Sequence, residues 1–161
     1  MGILLTAEEL FQIAAQLESY GQSYYLELAD QVTDAKLSEL FDSLAAEEEQ
    51  HYKQFTEYYK QATQKDWKIS KVDEETADYI EALLGVRLFT PEKGGEKEAA
   101  TIHAPNDVLS TALAMEKDAL LFYRELVEMI SPELCPAIRM IINQERSHIT
   151  RLQEMLDSTP A

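Results

Sequence analysis

Apolar residues recur every three or four positions through four stretches of the chain, the spacing that puts them on one face of a helix. The first stretch follows Thr6-Ala7-Glu8-Glu9, a capping box, and predicts a helix over residues 6–32. Thr33-Asp34 interrupts it, and a second helix is expected over 34–63. So short a connection makes the two antiparallel neighbours. From Asp66 to Pro105 the pattern degrades to one short helical stretch around Ala77–Leu84, then Thr90-Pro91 and the charged run Glu92-Lys93-Gly94-Gly95-Glu96-Lys97. This part reads as a crossover with a flexible, disorder-prone portion. A third helix is expected over 106–130, and Ser131-Pro132, cap and first-turn proline, opens a fourth over 132–156. Two helical hairpins joined by one long connection describe an all-α, antiparallel four-helix bundle in a single domain, 1–161.

The inward seams carry the informative exceptions. In the first helix the seam reads Phe11, Ala14, Glu18, Gly21, Tyr25, Leu28, Val32; in the second, Leu37, Phe41, Leu44, Glu48, His51, Phe55, Tyr58, Ala62. The third gives Leu109, Ala112, Glu116, Ala119, Tyr123, Leu126, Ile130, and the fourth Leu134, Ile138, Ile141, Glu145, His148, Leu152, Met155. Each seam is apolar except for one glutamate, or a glutamate with a histidine one turn on. The glutamates lie some way into their helices, roughly 15–20 Å along each axis, so all four arrive near mid-bundle. The halves also repeat: Glu18 and Glu116 are 98 positions apart, and Glu48-x-x-His51 and Glu145-x-x-His148 are 97 apart.

Four carboxylates in one apolar volume cannot stay ionised and uncompensated, because burial and mutual repulsion both disfavour the charge. Either protons or cations must balance them, and two divalent ions supply +4 against four carboxylates. Oxygen-rich ligation with one imidazole per ion suits iron or manganese better than zinc. Glu18, Glu48, His51, Glu116, Glu145 and His148 are therefore the candidate metal ligands. Tyr25 and Tyr123, on the same faces seven residues after Glu18 and Glu116, are either core aromatics or hydrogen-bond partners of those carboxylates. Glu47 and Glu49 flank the seam and are expected to be solvated or at its edge. Gly21 marks close helix approach or room for a small molecule.

Composition narrows the setting. The formal net charge is −16, which argues against nucleic acid or an anionic membrane as partner. No apolar run approaches a membrane span, and the N-terminal residues lack the pattern of a signal peptide. Cys135 is alone, which leaves no disulfide framework or thiolate metal site and fits a reducing cytoplasm. It reads as a core cysteine, His103 as a surface histidine, and Trp67 with Tyr58-Tyr59 as packing or interface residues.

Glu18…Tyr24-Tyr25, Ala46-Glu47-Glu48-Glu49-Gln50-His51, Glu116…Phe122-Tyr123 and Glu145-Arg146-Ser147-His148 resemble the rubrerythrin branch of the ferritin-like superfamily. The resemblance covers the four helices and leaves the crossover uncovered. It implies a ferritin-like diiron-carboxylate bundle in which Glu18 and Glu116 are terminal ligands, Glu48 and Glu145 bridge, and each histidine caps one ion. Rubrerythrins proper usually carry a further glutamate where Ala119 stands, and a rubredoxin-like domain with two cysteine pairs. The chain thus looks like a stand-alone, six-ligand relative that holds two iron ions, with manganese or zinc as alternatives in purified protein. The expected activity is reduction of hydrogen peroxide or dioxygen, with electrons from an external rubredoxin-like protein or flavoprotein. Ferroxidase or iron-handling activity, with ferrous iron as substrate, and a purely structural metal-binding bundle are the alternatives. By analogy with other ferritin-like bundles, a homodimer is expected.

Overall fold

The computed structural model describes residues 5–65, 67, 72–89, 94–101 and 104–160. Within these the chain forms six helices: α1 (Ala7–Gln31), α2 (Ala35–Gln64), α3 (Glu74–Phe89), α4 (Gly94–Ala100), α5 (Pro105–Met129) and α6 (Cys135–Ser158). No strand occurs among the described residues. The long helices begin where local chemistry supplies partners for free backbone N–H groups. Thr6 accepts from the Glu9 backbone while the Glu9 carboxylate accepts from the Thr6 N–H, and Asp34 accepts from the Leu37 N–H at 2.9 Å. The fourth long helix starts later than its expected position at Pro132. Ser131 to Leu134 first make a turn, closed by the Leu134 N–H on the Ser131 carbonyl, and α6 then opens at Cys135 with Pro136 in its first turn.

The bundle has an apolar layer at each end. One joins Leu10, Phe11 and Ala14 of α1 to Phe55 and Tyr58 of α2, Phe122 and Leu126 of α5, and Ile138 and Ile141 of α6. The other joins Tyr24, Tyr25 and Leu28 to Leu37, Phe41 and Leu44, then Leu109 and Ala112, then Leu152. α1 and α6 run from the first layer to the second, and α2 and α5 run back. Of the predicted seam residues, only Val32, Ala119, Leu134 and Met155 are half-buried rather than buried. Glu18, Glu48, His51, Glu116, Glu145 and His148 fall between the two layers on every helix, so apolar packing brackets the polar set from both sides.

The crossover is more ordered than its composition suggests. α3 contributes Ala77, Ile80 and Leu84 to the first layer and bends at Gly85, whose φ of +37° is open to glycine and strained for other residues. Gly94 to Lys97, read as part of a flexible run, are instead the start of α4, which packs on α1. The reason is Gly95: a Cβ there would overlap the Tyr20 carbonyl oxygen, so only glycine lets the two backbones approach this closely. The Tyr20 hydroxyl then bonds Glu98 across the contact. Thr90 to Lys93 and His103 lie outside the described residues. Among the described residues no helix is long and apolar enough to cross a membrane.

Candidate metal centre

The six seam residues converge. None is more than 4% exposed. Both histidines turn Nδ1 inward: His51 Nδ1 lies 3.2 Å from Glu18 Oε2 and 2.8 Å from Glu145 Oε1, and His148 Nδ1 lies 3.0 Å from Glu48 Oε1 and 3.5 Å from Glu116 Oε2. The donor atoms fall into two overlapping groups, Glu18–Glu48–His51–Glu145 and Glu48–Glu116–Glu145–His148. In each group the four atoms lie within 4.8 Å of one another. Donors opposed across one ion with bonds of about 2.1 Å stand about 4.2 Å apart, so each group is close to the span of a coordination sphere. Glu48 and Glu145 belong to both.

A direct observation says that protein partners alone do not satisfy this arrangement. Glu48 Oε1, Glu145 Oε1 and His148 Nδ1 are buried without a partner in hydrogen-bond geometry among the described residues. Glu48 Oε1 and His148 Nδ1 approach each other closely yet do not align as donor and acceptor. Atoms that point at a common centre rather than at one another are what ions would satisfy, and the residues present therefore fit a pair of divalent ions.

The outer contacts hold the donors in place. The Tyr25 hydroxyl donates to Glu116 Oε1 and the Tyr123 hydroxyl to Glu18 Oε1, each reaching across to the glutamate of the other hairpin. Of the two sequence readings, the hydrogen-bonding one is therefore the one realised. Two partners escaped the sequence reading. Gln144 Oε1 lies 2.7 Å from His51 Nε2, and Glu47 Oε2 lies 3.1 Å from His148 Nε2. Glu47 is also held by Arg151 Nη1 at 2.6 Å, and Arg151 Nη2 donates to Ser43 Oγ. Glu49, by contrast, pairs with Lys53 on the surface, as a solvated residue would. The signal that was available for Glu47 and Gln144 is the repeat itself, since each directly precedes an Glu-x-x-His tetrad.

Without metal, the charges sort themselves by environment. Burial pushes Glu48 and Glu145 well above the usual carboxylate range, and repulsion from neighbouring carboxylates adds to it. Burial also opposes ionisation of Glu18 and Glu116, but bonds from surrounding groups, with His51 and His148 beside them, bring both below their ordinary value. Burial alone would lower the histidines. The adjoining carboxylates outweigh it, raising His148 and carrying His51 up to about 11. Glu47, next to Arg151 and His148, is lowered despite its partial burial.

Beside the site, between α1 and α5, is a cavity of about 20 Å³ lined by Glu18, Gly21, Glu48, Glu116, Ala119 and Glu145 among others. One water needs about 10–15 Å³ on the same measure, so the space suits one very small molecule. Gly21 thus marks room rather than a helix contact: a Cβ there would meet Glu48 Cδ at 3.5 Å.

The architecture and the two overlapping groups define a ferritin-like bundle with a buried carboxylate–histidine site of the di-metal kind. The fold is shared with a crystal structure from Thermotoga maritima of a protein assigned as a ferritin-like diiron-carboxylate protein. That match has a TM-score of 0.73 at 20% identity and covers 99% of this chain and 100% of the other. The sequence profile of the rubrerythrin family matches residues 9–103, and the chain belongs to that family. The profile match takes in the first hairpin and the crossover. No protein of curated function matches the chain significantly.

Proposed function

We propose that this protein is a non-haem diiron oxidoreductase that reduces hydrogen peroxide, or dioxygen, with electrons from an external donor. The observation that carries the reading is the sharing of Glu48 and Glu145 between two donor groups, next to a cavity sized for one small molecule. Glu18 and His51 would complete one position, and Glu116 and His148 the other. Two ferrous ions held there would supply the two electrons that cleavage of an O–O bond requires. For peroxide the balance is one H₂O₂, two electrons and two protons giving two waters. The electrons are restored by a rubredoxin-like protein or a flavoprotein.

The chain's own residues set the conditions for this. The apolar layers exclude bulk water and keep the local dielectric low, which strengthens the pull of every fixed charge in the site. Tyr25 and Tyr123 fix one oxygen each of Glu116 and Glu18, leaving the other oxygen turned toward the donor groups. Gly21 and Ala119 leave space where larger side chains would fill it. Ala119 also favours a second reading, ferroxidase or iron-handling activity, because the position that bears a further glutamate in rubrerythrins proper is apolar here.

The test is elemental analysis of protein purified without chelators, then anaerobic ferrous loading and a stopped-flow challenge with each oxidant. About two irons per chain, oxidised faster by peroxide than by dioxygen, is the expected result. Faster reaction with dioxygen and sustained turnover of added ferrous iron would shift the assignment to iron handling. Unchanged metal binding in Glu48→Ala/Glu145→Ala would overturn the ligand assignment altogether.

A further inference from the structure

The two halves of the site are built on one plan, and they differ in the residue that supports each histidine from behind. Glu47 directly precedes Glu48 on α2, and Gln144 directly precedes Glu145 on α6, 97 positions later. Each reaches across to the histidine of the other helix: Glu47 to His148 Nε2, Gln144 to His51 Nε2. Both offer an oxygen that accepts, so with an ion bound both would keep the ring proton on Nε2 and turn the Nδ1 lone pair to the ion. The tautomer is the same on both sides. The charge is not.

We infer that Glu47 and Gln144 make the two metal positions unequal, so that the position served by His148 holds its ion more tightly than the position served by His51. This rests on the ligand assignment proposed above. An anionic acceptor draws on the Nε2 proton and makes Nδ1 the stronger electron donor, whereas a neutral amide does so less. Glu47 is fixed in this role, with Arg151 on Oε1 and Ser43 bonded to both, while Oε2 faces the imidazole. Gln144 sits at an exposed position, where its amide competes with water. The result is one retained ion and one exchangeable ion. An exchangeable ion at His51 is what a site that takes ferrous iron as substrate needs, so the same asymmetry bears on which of the two readings of the activity holds. Glu47 and Gln144 are positioning residues, since neither touches the donor centre.

The test uses cobalt(II) added anaerobically to the metal-free full chain, read by calorimetry and by proton NMR of the paramagnetically shifted, exchangeable imidazole N–H signals. Wild type is expected to show one such signal at one equivalent and two at saturation. Glu47→Gln should move the first signal and weaken the tighter constant about tenfold, the usual effect of losing such a partner, while leaving the weaker constant within about threefold. Gln144→Glu should strengthen the weaker constant and leave the first signal in place. A packing role would not produce that gain, and the exposed position keeps this variant informative if Glu47→Gln fails to fold. Two signals of equal intensity at one equivalent, a first signal that follows position 144 rather than 47, or constants indifferent to both variants would overturn the inference. If cobalt binds the Glu48→Ala/Glu145→Ala protein as it binds wild type, the ligand assignment itself has failed. That outcome is recognisably different from unequal loading being absent in an otherwise intact site.

Discussion

Loading the site is expected to expel protons, and the number follows from electroneutrality in a buried volume. In the metal-free protein Glu18 and Glu116 remain ionised beside protonated His51 and His148, while Glu48 and Glu145 are driven toward their neutral forms. Two carboxylates at −1 and two imidazoles at +1 sum to zero. With two divalent ions bound, four carboxylates at −1 balance +4, and the imidazoles must be neutral to coordinate. The site is neutral in both states. The difference is four protons, two from glutamates and two from histidines, and four is therefore the ceiling per pair of ions.

At pH 7 His51 contributes close to a full proton, because its pKa of about 11 keeps it charged until metal displaces the proton. The remaining three groups are shifted in the same direction, so total release of more than one proton, up to the ceiling of four, is expected. Apparent affinity should then rise with pH, by roughly tenfold per pH unit for each proton released. Calorimetric titration with manganese(II) in buffers of different ionisation enthalpy measures the release directly. Release below about one proton per pair, or an affinity indifferent to pH between 6 and 8, would refute the argument. It would mean that the carboxylates are already ionised in the empty site and balanced by something else.

The same shifts set the pH dependence of the metal-free fold. A histidine raised from 6.5 to about 11 gives its full stabilisation below pH 6.5 and loses it as the pH climbs toward 11, at up to about 1.4 kcal/mol per pH unit. The Tm of metal-free protein should fall between pH 7 and 9, and a Tm flat over that range would show that none of the raised groups, His51 included, holds its proton in the fold. Tyr25→Phe and Tyr123→Phe each strip a donor from a buried, ionised glutamate and should destabilise the metal-free protein by about 2 kcal/mol in urea titrations, with similar values because the two contacts are equivalent. Gly21→Val should fill the cavity against Glu48 and slow oxidation by peroxide about tenfold or more, with metal stoichiometry unchanged. A variant that loses metal instead would show that Gly21 serves helix packing.

The fold and the donor set were legible because both are written in period. A glutamate in a seam of Phe, Leu and Ala has no orientation but inward, and equal depth on four helices then forces convergence. This reasoning reached all six converging residues without knowing which helix lies beside which. The crossover resisted for the opposite reason. Gly94-Gly95-Glu96-Lys97 has the composition of a loop, and its helicity comes from the fit of Gly95 against the Tyr20 backbone, a tertiary contact that overrides local propensity. Ser131-Pro132 misplaced a helix start by three residues because Pro136, also in a first turn, competes for the same role.

Glu47 and Gln144 fall between these cases. Position relative to the seam puts both on its flank, about 100° from the inward direction, where charged residues usually meet water. What draws them in is the neighbouring helix: α2 and α6 lie side by side, so a side chain on the flank of one reaches the back of a histidine on the other. Single-helix periodicity cannot report that contact. The internal repeat can, because residues that precede equivalent glutamates must occupy equivalent places, and equivalent places behind two metal-facing histidines are where ligand strength is tuned. A repeat that conserves all six donors yet pairs a carboxylate with an amide at the supporting position therefore carries information that the donors do not. It marks a place where two half-sites built on one plan differ in charge.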